Sequence, residues 1–557
     1  MNTRLIIALT LSLLLVVLYQ FLFIKQSPKE IPQTKEIAAA DKEGEKAQQE
    51  KELPRVVTGQ RRLAEKVDYR DVVVDTPLYN ATFTTYGGRL KSWKLKQYSD
   101  KVPMHPLGKF VQNLEYLVKG ALGFKGKKVE DTPPQPVEIV NTVAMGDLPL
   151  GISFKKGGIG YDEGIPFVPS AGGLSLTHQE GARTLTFRWR SPQGGQIDKR
   201  FTLYPDTYRM DMEVVISTPA NRGSIQDTLG LGWAAAIPKT DKKYGFFGPI
   251  YYTDGGFKQI KPKKIGGAET VVQGIDWFGM EEDYFLALIY PSTKGTSLEI
   301  KRTPENVINS TQLNPLALSP GANGRVSYTF FLGPKVSHLL SQITPTATKA
   351  ARYGWLHVLA VPIVWLLHFS NTFTGNYGLD IIILAIFLKV VFTPLTHKSQ
   401  EQMKEMQKLQ PEVKRLQQKY KDDKQALNRE VMELYKRRKV NPLGGCLPLL
   451  LQMPVFFALY QAFLGAIELR HAPFILWIRD LADKDPTYIT PLLMGATMFV
   501  QQKMTTVSAD PTQMKMMSLM PIFFTFIFLN FPSGLVLYWL VTNILSIGHQ
   551  YYINKKK

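Results

Sequence analysis

Apolar and polar positions are segregated along this chain rather than mixed. Residues 5–24 form a mostly apolar run of twenty, further apolar runs crowd the last third, and residues 25–350 are polar and punctuated by Gly and Pro. About twenty apolar residues in a helix span the roughly 30 Å hydrocarbon layer of a bilayer. Arg4 precedes the first run, and Lys25-Gln26-Ser27-Pro28 follows it without a small-x-small cleavage pattern. That arrangement predicts an uncleaved transmembrane anchor over 1–24 whose N-terminus is cytoplasmic. Residues 25–56 alternate Lys and Glu with Gln, Ala and Pro and show no apolar periodicity, which predicts a disordered linker.

From 57 to 347 the pattern changes to period two. Residues 184–190, 209–214 and 325–330 alternate apolar with polar, and the pairs Gly87-Gly88, Gly157-Gly158, Gly172-Gly173 and Gly255-Gly256 read as turns between such runs. Alternation recurring across so long a region predicts a large antiparallel β-sandwich. It holds no nucleophile elbow, HExxH or phosphate loop, so a binding or scaffold domain is the favoured reading.

The last third reads as membrane helices near 377–396, 443–464, 488–503, 516–531 and 534–553, which with the anchor gives six spans. Two of them have only about sixteen residues, and short spans thin the local bilayer. The run 354–369 contains Pro362 with Trp355, Trp365, His357 and His368. A seventh span there would place the basic segment 397–440 outside, against the positive-inside rule. The segment 348–371 is therefore read as an amphipathic helix on the outer face, and 25–371 as periplasmic.

Composition changes the picture in two places. The net charge of +20 is partly located in 397–440, where thirteen Lys/Arg face seven Asp/Glu. Apolar residues there recur at three- and four-residue steps, first over 403–420 and then over 427–434, with Asp422-Asp423 between them as a helix N-cap. The reading is a charged cytoplasmic helical hairpin with a possible bend at Pro411, either merely solvated or touching anionic head groups, RNA or protein. The single cysteine, Cys446, lies in an apolar run and excludes an intrachain disulfide and a Cys-based metal site.

Lys389 sits inside the span 377–396, with Pro394 near the end of that span. A charge at the centre of a membrane helix costs about 2.5–3.5 kcal/mol on insertion scales. Two readings stand. The ammonium either snorkels to the interface along its own stem, or it faces a polar cavity. Gln452, Thr497, Gln501, Gln502, Thr525, Asn530, Thr542 and Asn543 recur within the spans and are individually interhelical glue, but together with Lys389 they suggest a polar recess in the inner half of the bilayer. No acid–base pair, metal set or cofactor fingerprint accompanies them, so no enzyme chemistry and no cofactor are expected.

Three groups of residues then resemble one family. Gly375-Asn376-Tyr377-Gly378 leads into the second span, Asn441-Pro442-Leu443-Gly444-Gly445-Cys446 with Gln452-Met453-Pro454 marks the third, and Phe531-Pro532-Ser533-Gly534 with Tyr538-Trp539 opens the sixth. Together with Pro394 they resemble the YidC family of bacterial membrane protein insertases, in its Gram-negative form. The resemblance implies a core over 372–557 that encloses a hydrophilic groove open to cytoplasm and lipid. Lys389 would be the groove charge, where the family commonly has arginine, with Trp539, Gln452 and Gln502 lining the groove. Implied partners are nascent membrane proteins and the Sec translocon, with the ribosome and anionic lipids as candidates at 397–440, and no DNA. The competing readings are a secondary transporter or channel with an anion site at Lys389, and an anchored sugar- or peptide-binding protein.

Overall fold

Strict alternation becomes sheet. In Arg209–Ser217 the residues Met210, Met212, Val214 and Ile216 point inward and are fully buried, while their neighbours are half-exposed. This strand pairs antiparallel with Gln196–Leu203 on one side and Asn323–Pro334 on the other. The computed structural model describes residues 68–555 apart from 125–131, 143, 158, 160, 162–163, 222, 239–244, 267–269, 355, 422, 439, 441–446 and 506–510. The anchor 1–24, the linker 25–56, Trp355, Asp422 and the group Pro442, Gly444, Gly445 and Cys446 lie outside the described residues.

The larger sheet has 13 strands and runs from Gly151–Phe154 through Ile225–Ala236, Val307–Leu318, Thr296–Arg302, Thr270–Glu282 and Phe285–Pro291 to Asn323–Pro334. It continues through Arg209–Ser217, Gln196–Leu203 and Arg183–Arg190 to Val168–Pro169, and the hairpin Phe247–Thr253 with Gly256–Gln259 joins off this path on Thr270–Glu282 to complete the 13. A second sheet of 5 strands covers its inner face. One core joins the two. Trp93 and Tyr79 of the smaller sheet stack at 3.9 Å, and the Trp93 indole donates to Leu332 O of the larger sheet at 3.0 Å. The pairing is antiparallel except where Asp71–Asp75 runs parallel to Gly173–Ser175. Gly173 is thus the first residue of an edge strand rather than part of a turn.

The Gly87-Gly88 turn does what its composition predicts, with φ of 62° and 55°. It also anchors a charge. The fully buried Lys199 donates to Gly87 O and Leu150 O, each at 2.7 Å. A buried ammonium is tolerated only when hydrogen bonds replace its water, and carbonyls do so here.

The alternation conceals one helix, α1 (Pro106–Ala121), inserted after the strand Arg89–Ser99. His105 caps it, its ring nitrogen accepting from Leu107 N at 3.2 Å. Pro106 suits its first turn, where no N–H is needed.

The remaining helices follow the sheets: α2 (Ser337–Ser341), α3 (His357–Thr374), α4 (Tyr377–Lys419), α5 (Lys424–Arg437), α6 (Leu447–Gly465), α7 (Ile489–Thr505), α8 (Pro511–Phe528) and α9 (Ser533–Lys555). The helix α3 begins and ends a few residues later than the apolar run that announces it. It buries Ala360, Ile363, Val364 and Leu367 in the helical core and leaves Val358, Trp365, Phe369 and Phe373 exposed. α4 is a single helix of 43 residues that continues through Pro394 and Pro411, each lacking the N–H for its own helical bond, and contains a stretch long and apolar enough to cross a membrane. Asp423 caps α5, accepting from Gln425 N at 3.0 Å and Ala426 N at 2.9 Å.

Candidate functional site

The glycine-and-asparagine group before α4 is a joint. Gly375, with φ of 61°, ends α3 in the left-handed region that glycine enters without penalty. Asn376 then caps α4, accepting from Gly378 N at 2.9 Å and Leu379 N at 3.2 Å, and its amide donates to Phe474 O at 3.1 Å. Gly378 faces the Phe474 ring so closely that a Cβ would lie 2.0 Å from Cδ2. Asp380, buried one turn on, accepts from Asn371 and Thr374 at 2.7 Å each, which ties the end of α3 to the start of α4.

The group opening α9 closes the same end of the helical core. Ser533 N donates to Asp483 O at 2.7 Å, Ser533 Oγ to Asp480 O at 2.7 Å, and Gly534 N to Leu481 O at 2.9 Å. Pro532, Ser533 and Gly534 are all buried. The buried Asp485 caps α7 from the same loop, accepting from Thr487 N and Thr490 N at 2.8 Å each. The loop 466–488 is thus stitched to α9 by its backbone carbonyls and to α7 by the Asp485 carboxylate.

Below that seal the helices change character. Lys389 of α4 points across to α9 and donates to Ser546 Oγ at 2.7 Å, and Ser546 donates to Thr542 O at 2.7 Å. Lys389 is half-buried, and among the described residues no carboxylate lies within ion-pair distance of it. Polar side chains continue along the seam toward the far end of α4. His397 Nδ1 lies 3.3 Å from His549 Nε2 with the rings stacked, and Gln400 and Gln550 are buried nearby in sequence on the same two helices. From α7, Thr497 and the Met494 carbonyl approach the Asn543 amide at 3.4 Å each. Lys404 reaches Ile553 O at 3.0 Å, so the basic half of α4 is held against the end of α9.

The other predicted site residues distribute unequally around this seam. Gln452 of α6 donates to the Tyr538 hydroxyl at 2.9 Å, which brings α6 to α9. Trp539 stands in an aromatic cluster, with Phe456 and Phe528 at centroid distances of 5.3 Å each and Phe524 at 6.4 Å. Seven residues separate it from Ser546, two helical turns, so both lie on one face of α9. Gln502 is half-buried on α7. Pro394 is exposed within α4. Ser546, His397, His549 and Gln400 were not singled out by the sequence. Their signal is polar residues at helical spacing on α9 facing those on α4, and it needs the pairing of the two helices to be known. Among the described residues no group of three or more His, Cys, Asp or Glu could hold a metal ion.

An α-helical core with exposed apolar flanks, one of its described helices long and apolar enough to cross a membrane, is joined to a large two-sheet domain, the arrangement a membrane protein with a folded extramembrane domain would have. Two family models divide the chain along that line: the one described as the 60Kd inner membrane protein matches residues 369–557, and the one described as the YidC periplasmic domain matches 126–366. The membrane protein insertase YidC of Syntrophus aciditrophicus is 41% identical over 492 residues, covering 87% of this chain and 85% of that protein. That of Geobacter sulfurreducens is 40% identical over 559 residues, covering 100% and 98%. A crystal structure of active YidC insertase with its first transmembrane domain resolved aligns over 98% of this chain and 99% of that chain, at 17% identity and a TM-score of 0.37. The sequence matches alone carry the assignment: the chain belongs to the YidC family of membrane protein insertases of the inner membrane.

Proposed function

We propose that the α4–α9 seam is the wall of a hydrophilic groove, open to the cytoplasm, that receives short hydrophilic segments of nascent membrane proteins and releases their apolar helices into lipid. The observation that carries this reading is the direction of Lys389. A snorkelling ammonium reaches for head-group phosphates, whereas this one is hydrogen-bonded to Ser546 on a neighbouring helix at 2.7 Å. A positive charge without a carboxylate partner favours acidic residues in a passing segment, since opposite charges about 4 Å apart attract by about 4 kcal/mol at an effective dielectric near 20. Gln452, Gln502 and Trp539 line the groove alongside it. The driving force is the partition of the client's own apolar helix into lipid, so no chemical step is required.

In this reading the chain crosses the membrane six times. The N-terminus, the loop 397–440 and the C-terminus are cytoplasmic, and 25–371 is periplasmic with α3 at its interface. The loop is the receiving surface, with the ribosome and anionic lipids as its contacts, and larger clients are handed over with the Sec translocon. A photo-crosslinker placed at Lys389 or Trp539 captures nascent clients in active membranes, and a short client becomes protease-protected in liposomes holding the purified protein. Crosslinks to lipid alone, with no client protection, would defeat the reading.

A further inference from the structure

The helix α1 is turned inside out. On a helical wheel Leu107, Phe110, Leu114, Leu117, Val118 and Leu122 fall in one stripe, and all six are exposed. A helix on the surface of a water-soluble domain buries that stripe and leaves its polar face wet. Here Gly108 is the buried residue and Glu115, on the same side, faces the protein, accepting from Tyr488 OH at 2.7 Å. The apolar stripe is left uncovered, with Phe110 at 66% and Leu117 at 65% exposure. Exposed apolar patches of this kind mark a partner or a membrane.

Position selects between the two. The polar face of α1 rests on the residues that lead directly into α7: a Cβ on Gly108 would lie 3.0 Å from Pro486 Cγ, and Tyr488 is the residue before the first helical residue, Ile489. Leu492 and Leu493 in the first turn of α7 are exposed, as are Ile475 and Leu476 in the loop below. The stripe of α1 therefore continues an apolar surface that already belongs to the membrane-facing helices.

We infer that α1 lies in the outer interface of the bilayer, its leucines and phenylalanines among the acyl chains, as a second attachment of the periplasmic domain to the membrane. The partner is phospholipid, whose acyl chains take the stripe, while Lys119 is held on the other side of the helix by its ion pair with Glu115. The inference rests on the topology proposed above, with Tyr488 at the outer face.

The test uses the full chain in phospholipid vesicles, with Cys446→Ser as background and a polarity-sensitive fluorophore attached through Leu117→Cys, Asn113→Cys or Leu492→Cys. A lipid carrying a quencher high on its acyl chain is compared with aqueous iodide. The label at 117 is expected to emit at shorter wavelength than the one at 113, which is off the stripe, and to lose about half its emission to the lipid quencher, as interfacial burial requires. Quenching at 492 but not at 117 overturns the docking and leaves the topology standing. Quenching at neither position overturns the topology and the docking together. Protection of 117 from both quenchers also overturns the inference, because protein rather than lipid then covers the stripe.

Discussion

Lys389 Nζ and Ser546 Oγ lie 2.7 Å apart although 157 residues separate them in sequence. The bond joins the two helices whose polar faces form the seam. Replacing Ser546 by Ala removes the partner but keeps the charge, and if the proposed groove is hydrated, water takes its place, so insertion is expected to stay within about twofold. Lys389→Met removes the charge and is expected to cut protease protection of a client with an acidic tail by about tenfold or more, a loss of about 1.4 kcal/mol. Lys389→Arg is expected to retain function. Equal activity in the Met and Lys forms would show that the charge plays no part.

Gln452 and Tyr538 make the α6–α9 contact that the seam depends on. Tyr538→Phe leaves the Gln452 amide without its acceptor and is expected to lower stability by about 0.6–2 kcal/mol. Thermal unfolding in detergent measures this, and Gln452→Leu combined with Tyr538→Phe should lose less than the sum of the single changes.

Arg470 holds the sheet domain to the helical core. Its guanidinium donates to Ser99 O at 2.6 Å and sits over the rings of Phe285 at 5.3 Å and Tyr284 at 5.9 Å. Arg470→Ala is expected to weaken that junction by about 1–3 kcal/mol. Amide exchange at 99–101 should rise while client insertion is unchanged. Unaltered exchange would place the junction's strength elsewhere.

The same junction should show a concealed response to pH. Burial pushes Asp480 up from 3.8 to about 6 and pushes His471 down from 6.5 to about 4. Their 3.7 Å approach is too long for a hydrogen bond, so burial rather than pairing sets both. A raised carboxyl contributes stability below its unfolded value that is lost as pH rises through about 6. A depressed imidazole contributes stability above its unfolded value that is lost as pH falls through about 4. Between about 4 and 6 the two slopes oppose and nearly cancel. Asp480→Asn should therefore make the protein less stable as pH falls through that window, and His471→Gln should make it more stable. Parallel profiles for the two variants would refute the assignment.

Much of this architecture was legible because its signals are local. Alternation in 209–214 marks a strand whatever it pairs with, and Asp423 before an apolar-periodic run marks a helix start. The α1 helix was missed because its stripe is short and lies among strands. Its apolar residues face away from the protein, so neither the neighbouring period nor a core argument points to it. Lys389 stood out as a charge among apolar residues, but Ser546 did not, since a serine in a membrane helix is unremarkable until α9 is known to lie beside α4. The motif Pro532-Ser533-Gly534 was recognisable as a pattern, while its task of donating across to the carbonyls of Asp480, Leu481 and Asp483 belongs to the folded chain alone.

The unbroken run of α4 has a mechanical implication. At 1.5 Å per residue, 43 residues make a rod of about 65 Å, roughly twice the thickness of the hydrocarbon layer. Whatever grips its basic half holds the same helix on which Lys389 is mounted. A twist applied at the loop would reach that ammonium and Ser546 through one continuous helix, with Pro394 and Pro411 as the points where its backbone bonding is weakest.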